Sequence, residues 1–393
     1  MVNEQLSKQP DATADIPPPR SLRELIDRVS GRGIQWQSPG ADSGIAEVLP
    51  FPFLALVGQS EMKLALILSL INPALGGVLL IGPRGTGKTT AARSLADLLP
   101  NVPRSLCYYG CMPEDIETGG IEAVCPDCAR KYGEGIPLSK MDVVRLVELP
   151  LNARLEDVVG GLDERAAMHD RMRLQRGILV QADRNMLYVD EVNLLADVVV
   201  DAILDAAAQG RYTVRRGPVS ATYRARFCLI GSMNPEEGRL RPQIMDRFGL
   251  RVIVQGLENQ TERMEGYRRV QAYLTNPLGI LNQYAAETTR LREEIQVARD
   301  SLKQVNLEDA TAEQGLEIVK RLGIDSLRAE ITLFEAARAY VAADYRQTVT
   351  PADLAIVASM ALRLRCSAFI IDFLKNQAAE DEEIQSIIQS CIR

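Results

Sequence analysis

The chain has 393 residues, 46% of them hydrophobic and 25% charged, which is enough for two or three domains with a buried core. A single histidine stands against seven cysteines, excluding histidine-triad zinc sites, HExxH proteases and two-histidine iron sites. Its formal charge of -7, from 45 Lys plus Arg against 52 Asp plus Glu, disfavours nonspecific nucleic-acid binding and leaves only a local basic patch open.

Residues 1–45 are polar, carry Pro17-Pro18-Pro19 and hold few large apolar side chains, so a disordered tail is predicted. The start lacks the positive-then-apolar pattern of a secretory signal, which points to the cytoplasm or an equivalent such as the chloroplast stroma, where thiols stay reduced. The most apolar stretch, Leu64 to Ile81, is broken by Ser69, Asn72, Pro73 and Gly76-Gly77, so no membrane span is expected.

Across 46–256 short apolar runs alternate with helical patterns, predicting a layered α/β domain with a mostly parallel sheet. The candidate strands are Val78–Ile81, Val143–Leu149, Met186–Val189, Phe227–Ile230 and Arg251–Val254. After Gly256 the pattern turns wholly helical: a long linker over 257–310, with helices at Thr261–Leu274 and Leu278–Val305, then a helical domain over 311–393 with helices at Glu313–Leu322 and Leu327–Asp344. Thr311 with Gln314 fits a capping box, and Thr350-Pro351-Ala352-Asp353 places a cap, a first-turn proline and an acid in order. His169 is read as structural.

Gly82-Pro83-Arg84-Gly85-Thr86-Gly87-Lys88-Thr89 matches GxxxxGK[ST] directly between an apolar strand and a helical pattern. Such a loop turns its amides inward around a β-phosphate, Lys88 would reach the β and γ oxygens, and Thr89 would bind the Mg²⁺ of MgATP. Met186 to Val189 ends in Asp190-Glu191; Asp190 would hold the Mg²⁺ water shell while Glu191 activates a water for attack. A further strand delivers Asn234 just past its end, where it could orient that water.

Cys107-x3-Cys111-x13-Cys125-x2-Cys128 lies in an insert over about 104–140. Two short-spaced thiol pairs fit an all-sulfur structural Zn²⁺ site, a thiol/disulfide switch, or four free thiols. Cys228, Cys366 and Cys391 lie in apolar patterns and read as core or edge residues.

LYVDEVNLL (Leu187 to Leu195), GSMNPEEG (Gly231 to Gly238), LRPQ (Leu240 to Gln243), DRFGL (Asp246 to Leu250) and SLRAEITLFEAARAY (Ser326 to Tyr340) together resemble the ATPase I subunits of magnesium chelatase, AAA+ motors of chlorophyll and bacteriochlorophyll synthesis. The resemblance runs from about Phe51 to Leu364. It implies an AAA+ P-loop domain with a helix-2 insert (Arg154 to Gln181) and a β-hairpin before the first sensor (Arg211 to Arg226, turning near Gly217-Pro218), followed by an all-α domain. It further implies a homo-oligomeric ring, a hexamer, with ATP at each interface. Arg247 would be the arginine finger, with Arg241 a weaker candidate, and Arg328 the second sensor. The implied partners are a second AAA+ subunit and a large porphyrin-binding subunit, and the implied reaction is insertion of Mg²⁺ into protoporphyrin IX.

The hairpin departs from the family pattern, reading Val214-Arg215-Arg216-Gly217 and Tyr223-Arg224 where the family has Glu-Arg-Glu-Gly and His-Pro. That basic segment keeps two alternatives in view, a related metal-inserting or enzyme-activating chaperone and a helicase-like nucleic-acid motor. A non-catalytic nucleotide-binding ring would require a damaged hydrolysis set, and Lys88, Thr89, Asp190, Glu191, Asn234 and Arg247 are all present.

Overall fold

The computed structural model describes residues 49–365 apart from 108, 162–173, 218 and 239. The expected tail over 1–45, His169, the middle of the helix-2 insert, Pro218, Cys366 and Cys391 lie outside the described residues.

Along the chain, helix α1 (Ser60–Ile71) leads to strand β1 (Val78–Ile81), the glycine loop and helix α2 (Lys88–Ser94). The cysteine insert follows, with strand β2 (Val102–Ser105), helices α3 (Pro113–Gly119) and α4 (Pro126–Gly133), and strand β3 (Ser139–Asp142), which pairs antiparallel with β2. Strand β4 (Leu146–Leu149), short helices α5 (Leu155–Val159) and α6 (Ile178–Ala182), strand β5 (Met186–Val189) and helix α7 (Asp197–Gln209) come next. Strands β6 (Arg211–Arg216) and β7 (Val219–Arg224) form the expected hairpin; then come β8 (Cys228–Met233), helix α8 (Pro242–Arg247) and β9 (Leu250–Ile253). Five helices complete the chain: α9 (Gln260–Thr275), α10 (Pro277–Ser301), α11 (Asp309–Arg321), α12 (Leu327–Ala343) and α13 (Pro351–Leu362).

The main sheet has the order β4-β5-β8-β1-β9, every pair parallel. Continuous apolar strands such as Val78-Leu79-Leu80-Ile81 fit this because both faces of the sheet are covered. Strand alternation sorts them: Val78 and Leu80 join the core shared with α1, α12 and α13, while Leu79 and Ile81 join the core beneath α7. Helices α10 to α13 therefore bury apolar side chains in the same cluster as one sheet face. Since β1 lies between β8 and β9, the carboxyl ends of β1, β5 and β8 open onto one crevice, where ligands of open parallel sheets gather.

Some expected boundaries shift, each for a local reason. Strand β4 begins at Leu146 instead of Val143, because the Asp142 carboxylate accepts from the Val143 amide at 3.0 Å and Asn185 accepts from the Arg145 amide at 2.9 Å, diverting both from a ladder. Helix α11 begins at Asp309, so Thr311 is buried inside its first turn and is not the cap expected from Gln314. Helix α10 ends at Ser301 and passes into a 3-10 turn at Leu302–Gln304. The Thr350 capping box forms as expected, with Asp353 accepting from the Thr350 amide at 2.8 Å. Among the described residues, no helix is long and apolar enough to cross a membrane.

Candidate active site

The glycine loop leaves β1 at Gly82, where a Cβ would run into the Val254 carbonyl of the strand end alongside. It closes at Gly87, whose φ of 87° lets the chain turn left-handed into α2. Lys88 is buried, and its ammonium donates to the carbonyls of Gly82 and Pro83, both at 2.7 Å, folding the side chain along the inside of the loop. Burial lowers the Lys88 pKa below the usual lysine range, opposed by the nearby Asp190, Glu191 and Glu237.

Across the crevice, β5 is followed directly by Asp190 and Glu191. Tyr188 Oη donates to Asp190 Oδ1 at 2.9 Å and lies 3.0 Å from Thr89 Oγ1, while Ser232 Oγ donates to the same Asp190 oxygen. The Glu191 amide donates to Ser232 Oγ at 3.1 Å, and its backbone sits in the left-handed region at φ 47°. A non-glycine residue there costs on the order of 1–3 kcal/mol, a strain of the kind that collects at functional sites. Arg84 reaches over from the loop, donating to Glu191 Oε1 at 3.1 Å and pairing with Glu237. Asn234 is buried at the end of β8, its Oδ1 accepting from the Glu236 amide at 3.3 Å.

Arg84, Gly85, Thr86, Gly87, Lys88, Thr89, Asp190, Glu191 and Asn234 line one cavity of about 490 Å³, with Gly82 and Pro83 at the start of its loop. Thr90 and Ser232 also line it, and Phe51, Leu56 and Val270 form an apolar wall, with Phe51 set edge-on to Tyr273 at 5.3 Å. A cation, a hydroxyl, two acids and loop amides at one end, with a flat apolar wall at the other, fit a nucleotide triphosphate with its divalent ion. Sequence reasoning passed over Tyr188, Ser232 and the apolar wall. The signal for Tyr188 was its phenol in an otherwise apolar buried strand, since a buried hydroxyl needs a partner.

Arg247 and Arg328 lie elsewhere. Arg247, the last residue of α8, donates to Asp205 Oδ1 at 2.9 Å and pairs with Asp201 at 3.1 Å. The exposed Arg328 lines a second cavity of about 190 Å³ together with Arg247, Asp205 and Asp246. Neither arginine lines the cavity that contains Lys88. Arg241 is exposed and pairs with Asp197 at 2.5 Å.

The four insert cysteines converge, their sulfurs all within 4.8 Å of one another. Burial acts to raise the Cys107 thiol pKa, but hydrogen bonds from the Tyr109 amide and from the Cys128 and Cys125 thiols prevail and bring it to about 7.

Residues 160–258 match the MCM P-loop domain family, and residues 316–390 match the AAA lid domain family. The chain is 41% identical over 323 residues to a magnesium-chelatase subunit ChlI homolog of Methanocaldococcus jannaschii, covering 81% of this chain and 87% of that protein. It is 42% identical over 317 residues to the magnesium-chelatase 38 kDa subunit of Acidiphilium rubrum, covering 80% and 90%. A solved structure, a complex of magnesium-chelatase subunits BchI and BchD based on single-particle cryo-EM, matches at 37% identity over 83% of this chain and 99% of that one, with a TM-score of 0.46. With this identity over most of both chains, and a P-loop domain in the matched region, the chain belongs to the magnesium-chelatase I-subunit family of AAA+ ATPases.

Proposed function

We propose that this chain is the ATP-hydrolysing motor subunit of a magnesium chelatase, driving insertion of Mg²⁺ into protoporphyrin IX in chlorophyll or bacteriochlorophyll synthesis. It would act in the cytoplasm or the chloroplast stroma. The porphyrin would sit on a separate large subunit, and a second AAA+ subunit would complete the complex. What supports this most is that Lys88, Thr89, Asp190, Glu191 and Asn234 line a single cavity in a chain of this family.

ATP with its Mg²⁺ is the motor's substrate. Gly82 to Gly87 would cradle the phosphates with their amides, and Lys88 would exchange its bonds to the Gly82 and Pro83 carbonyls for phosphate oxygens. Thr89 and Asp190 would hold the ion and its water shell, oriented by Tyr188 and Ser232. Glu191 would take a proton from a water placed by Asn234. That water's oxygen bonds to the γ-phosphorus as the bond to the β-γ bridging oxygen breaks, and ADP leaves with the electron pair.

Arg247 would meet charge developing on the γ-phosphate of the adjacent subunit, because it is remote from the cavity of its own chain. Arg328 lies beside it and would serve the same neighbouring nucleotide, which requires a closed ring such as a hexamer. The chaperone and helicase-like readings are not favoured, since relatives matching 80% of the chain carry the chelatase name and the net charge is -7. Reconstitution with the two other chelatase subunits tests the proposal: ATP-dependent magnesium porphyrin formation is expected, and ATPase activity without any metallation would move the reading to the chaperone.

A further inference from the structure

The cysteine insert, 106–138, stands apart from the nucleotide site and has little core of its own. Its cluster consists of Ile116, Val124 and Leu138 with the cysteines themselves, while Leu106, Tyr109, Ile121, Tyr132 and Ile136 are exposed. A unit this small needs a staple besides apolar burial. Cys107 Sγ lies 3.7 Å from Cys111 Sγ and 3.5 Å from Cys125 Sγ. Zinc–sulfur bonds of about 2.3 Å in a tetrahedron space the sulfurs by about 3.8 Å, whereas a disulfide requires about 2.0 Å. Cys107 is thus set at metal-ligand spacing from two of its partners, all four sulfurs lie within 4.8 Å of one another, and none of the four is in a disulfide.

The surroundings favour bound thiolates. The Tyr109 amide, two residues on, donates to Cys107 Sγ at 3.2 Å, and the Cys125 amide donates to Cys111 Sγ at 3.4 Å. Amide-to-sulfur bonds of this kind stabilise the anionic ligand and fix its direction. Cys125 precedes Pro126 at the start of α4, so Cys128 lies one turn on and both sulfurs face the same point. Arg176 donates to the Cys107 carbonyl at 3.1 Å, placing positive charge beside a centre whose four thiolates and divalent ion would sum to -2.

We propose that Cys107, Cys111, Cys125 and Cys128 bind one thiophilic divalent cation, of which zinc is the expected occupant, as a closed four-sulfur structural site. The site fastens the insert to the elements that frame the hairpin. Helix α3, inside the metal loop, pairs through Glu114 with Arg184 at 2.9 Å and through Asp115 with Arg224 of β7. Each ligating thiol gives up its proton to solvent on binding, and no oxidation is involved.

The test is metal analysis of the full chain purified without chelator or added metal, read together with intact mass under non-reducing conditions. About one zinc per chain and a mass with all thiols unoxidised are expected. Cobalt exchanged for zinc in the wild-type chain should give sulfur-to-metal charge-transfer bands, a readout independent of any variant's folding. Replacing Cys125 and Cys128 with Ser should abolish metal retention and raise amide exchange over 113–119 and 211–224, leaving exchange over 82–94 unchanged. Metal near zero overturns the proposal: a mass four hydrogens lower would assign two disulfides, and an unchanged mass would leave four free thiols.

Discussion

Tyr188 Oη lies 3.0 Å from Thr89 Oγ1 and donates its own proton to Asp190 Oδ1, so the Thr89 hydroxyl donates to Tyr188 and keeps its lone pairs for a metal ion. One buried phenol thereby orients both side chains expected to hold the nucleotide's Mg²⁺. Tyr188→Phe removes these bonds with little change in shape. The Mg²⁺ concentration for half-maximal ATPase activity should rise by about 10- to 100-fold, with nucleotide binding retained. An unchanged Mg²⁺ titration would show that Thr89 and Asp190 need no such support.

Arg247 pairs with Asp201 and Asp205 of its own chain and lies off the cavity of its own chain, which leads to a mixing experiment. Arg247→Ala and Lys88→Ala should each lose most ATPase activity, about a thousandfold or more for the arginine. Mixed together, they should recover part of it, because sites from the arginine variant can receive a finger from the lysine variant. Failure of every mixture to exceed its components would place the finger elsewhere.

Arg365 and Arg251 both have fully buried side chains and converge on Asp246, the residue before Arg247. Arg365 donates to Asp246 Oδ1 at 2.6 Å and to the Gly249 carbonyl at 3.0 Å; Arg251 donates to the Arg363 carbonyl at 2.8 Å. Burial, reinforced by repulsion from Arg365, lowers Arg251 to about 10. Arg365→Ala breaks a buried pair and should cost about 3 kcal/mol in chemical denaturation. The exposed pair of Arg290 and Glu294 offers the contrast, and Arg290→Ala should cost less than about 0.5 kcal/mol. Equal losses would refute this ranking.

Asp353 caps α13 and accepts from Arg346 at 3.0 Å and from the Thr350 amide at 2.8 Å. Burial alone would raise its pKa, but the hydrogen bonds from Arg346 and Thr350 outweigh it and hold the carboxyl below the usual range. A carboxyl depressed in the folded state stabilises it above the unfolded pKa of about 3.9, and that contribution is lost as pH falls below it. Asp353→Asn should therefore lower the melting temperature at pH 7 and narrow its gap from wild type below about pH 4. A gap independent of pH would assign the loss to packing alone.

How much the sequence discloses depends on whether the interacting residues are contiguous. The glycine loop, Asp190-Glu191 and Thr350-Pro351-Asp353 are local motifs, and each lies where its spacing places it. Thr311 misleads because its amide already donates to the Glu308 carbonyl inside a helix that starts two residues earlier. Asp246 and Arg365 meet across 119 positions, and Thr89 and Tyr188 across 99, separations at which no spacing rule operates. The polar ribbon of β2 and β3 is likewise invisible to hydrophobic periodicity, because Pro103-Arg104-Ser105 and Ser139-Lys140 carry no apolar alternation.

Glu191 carries the central claim, that this chain hydrolyses ATP with a carboxylate base at the end of β5. The most direct measurement is nucleotide affinity and steady-state ATP turnover of Glu191→Gln beside the wild-type chain. The account predicts affinity within about threefold and turnover lower by at least about 100-fold, the contribution of a positioned general base. Turnover at the wild-type rate with affinity unchanged would contradict it.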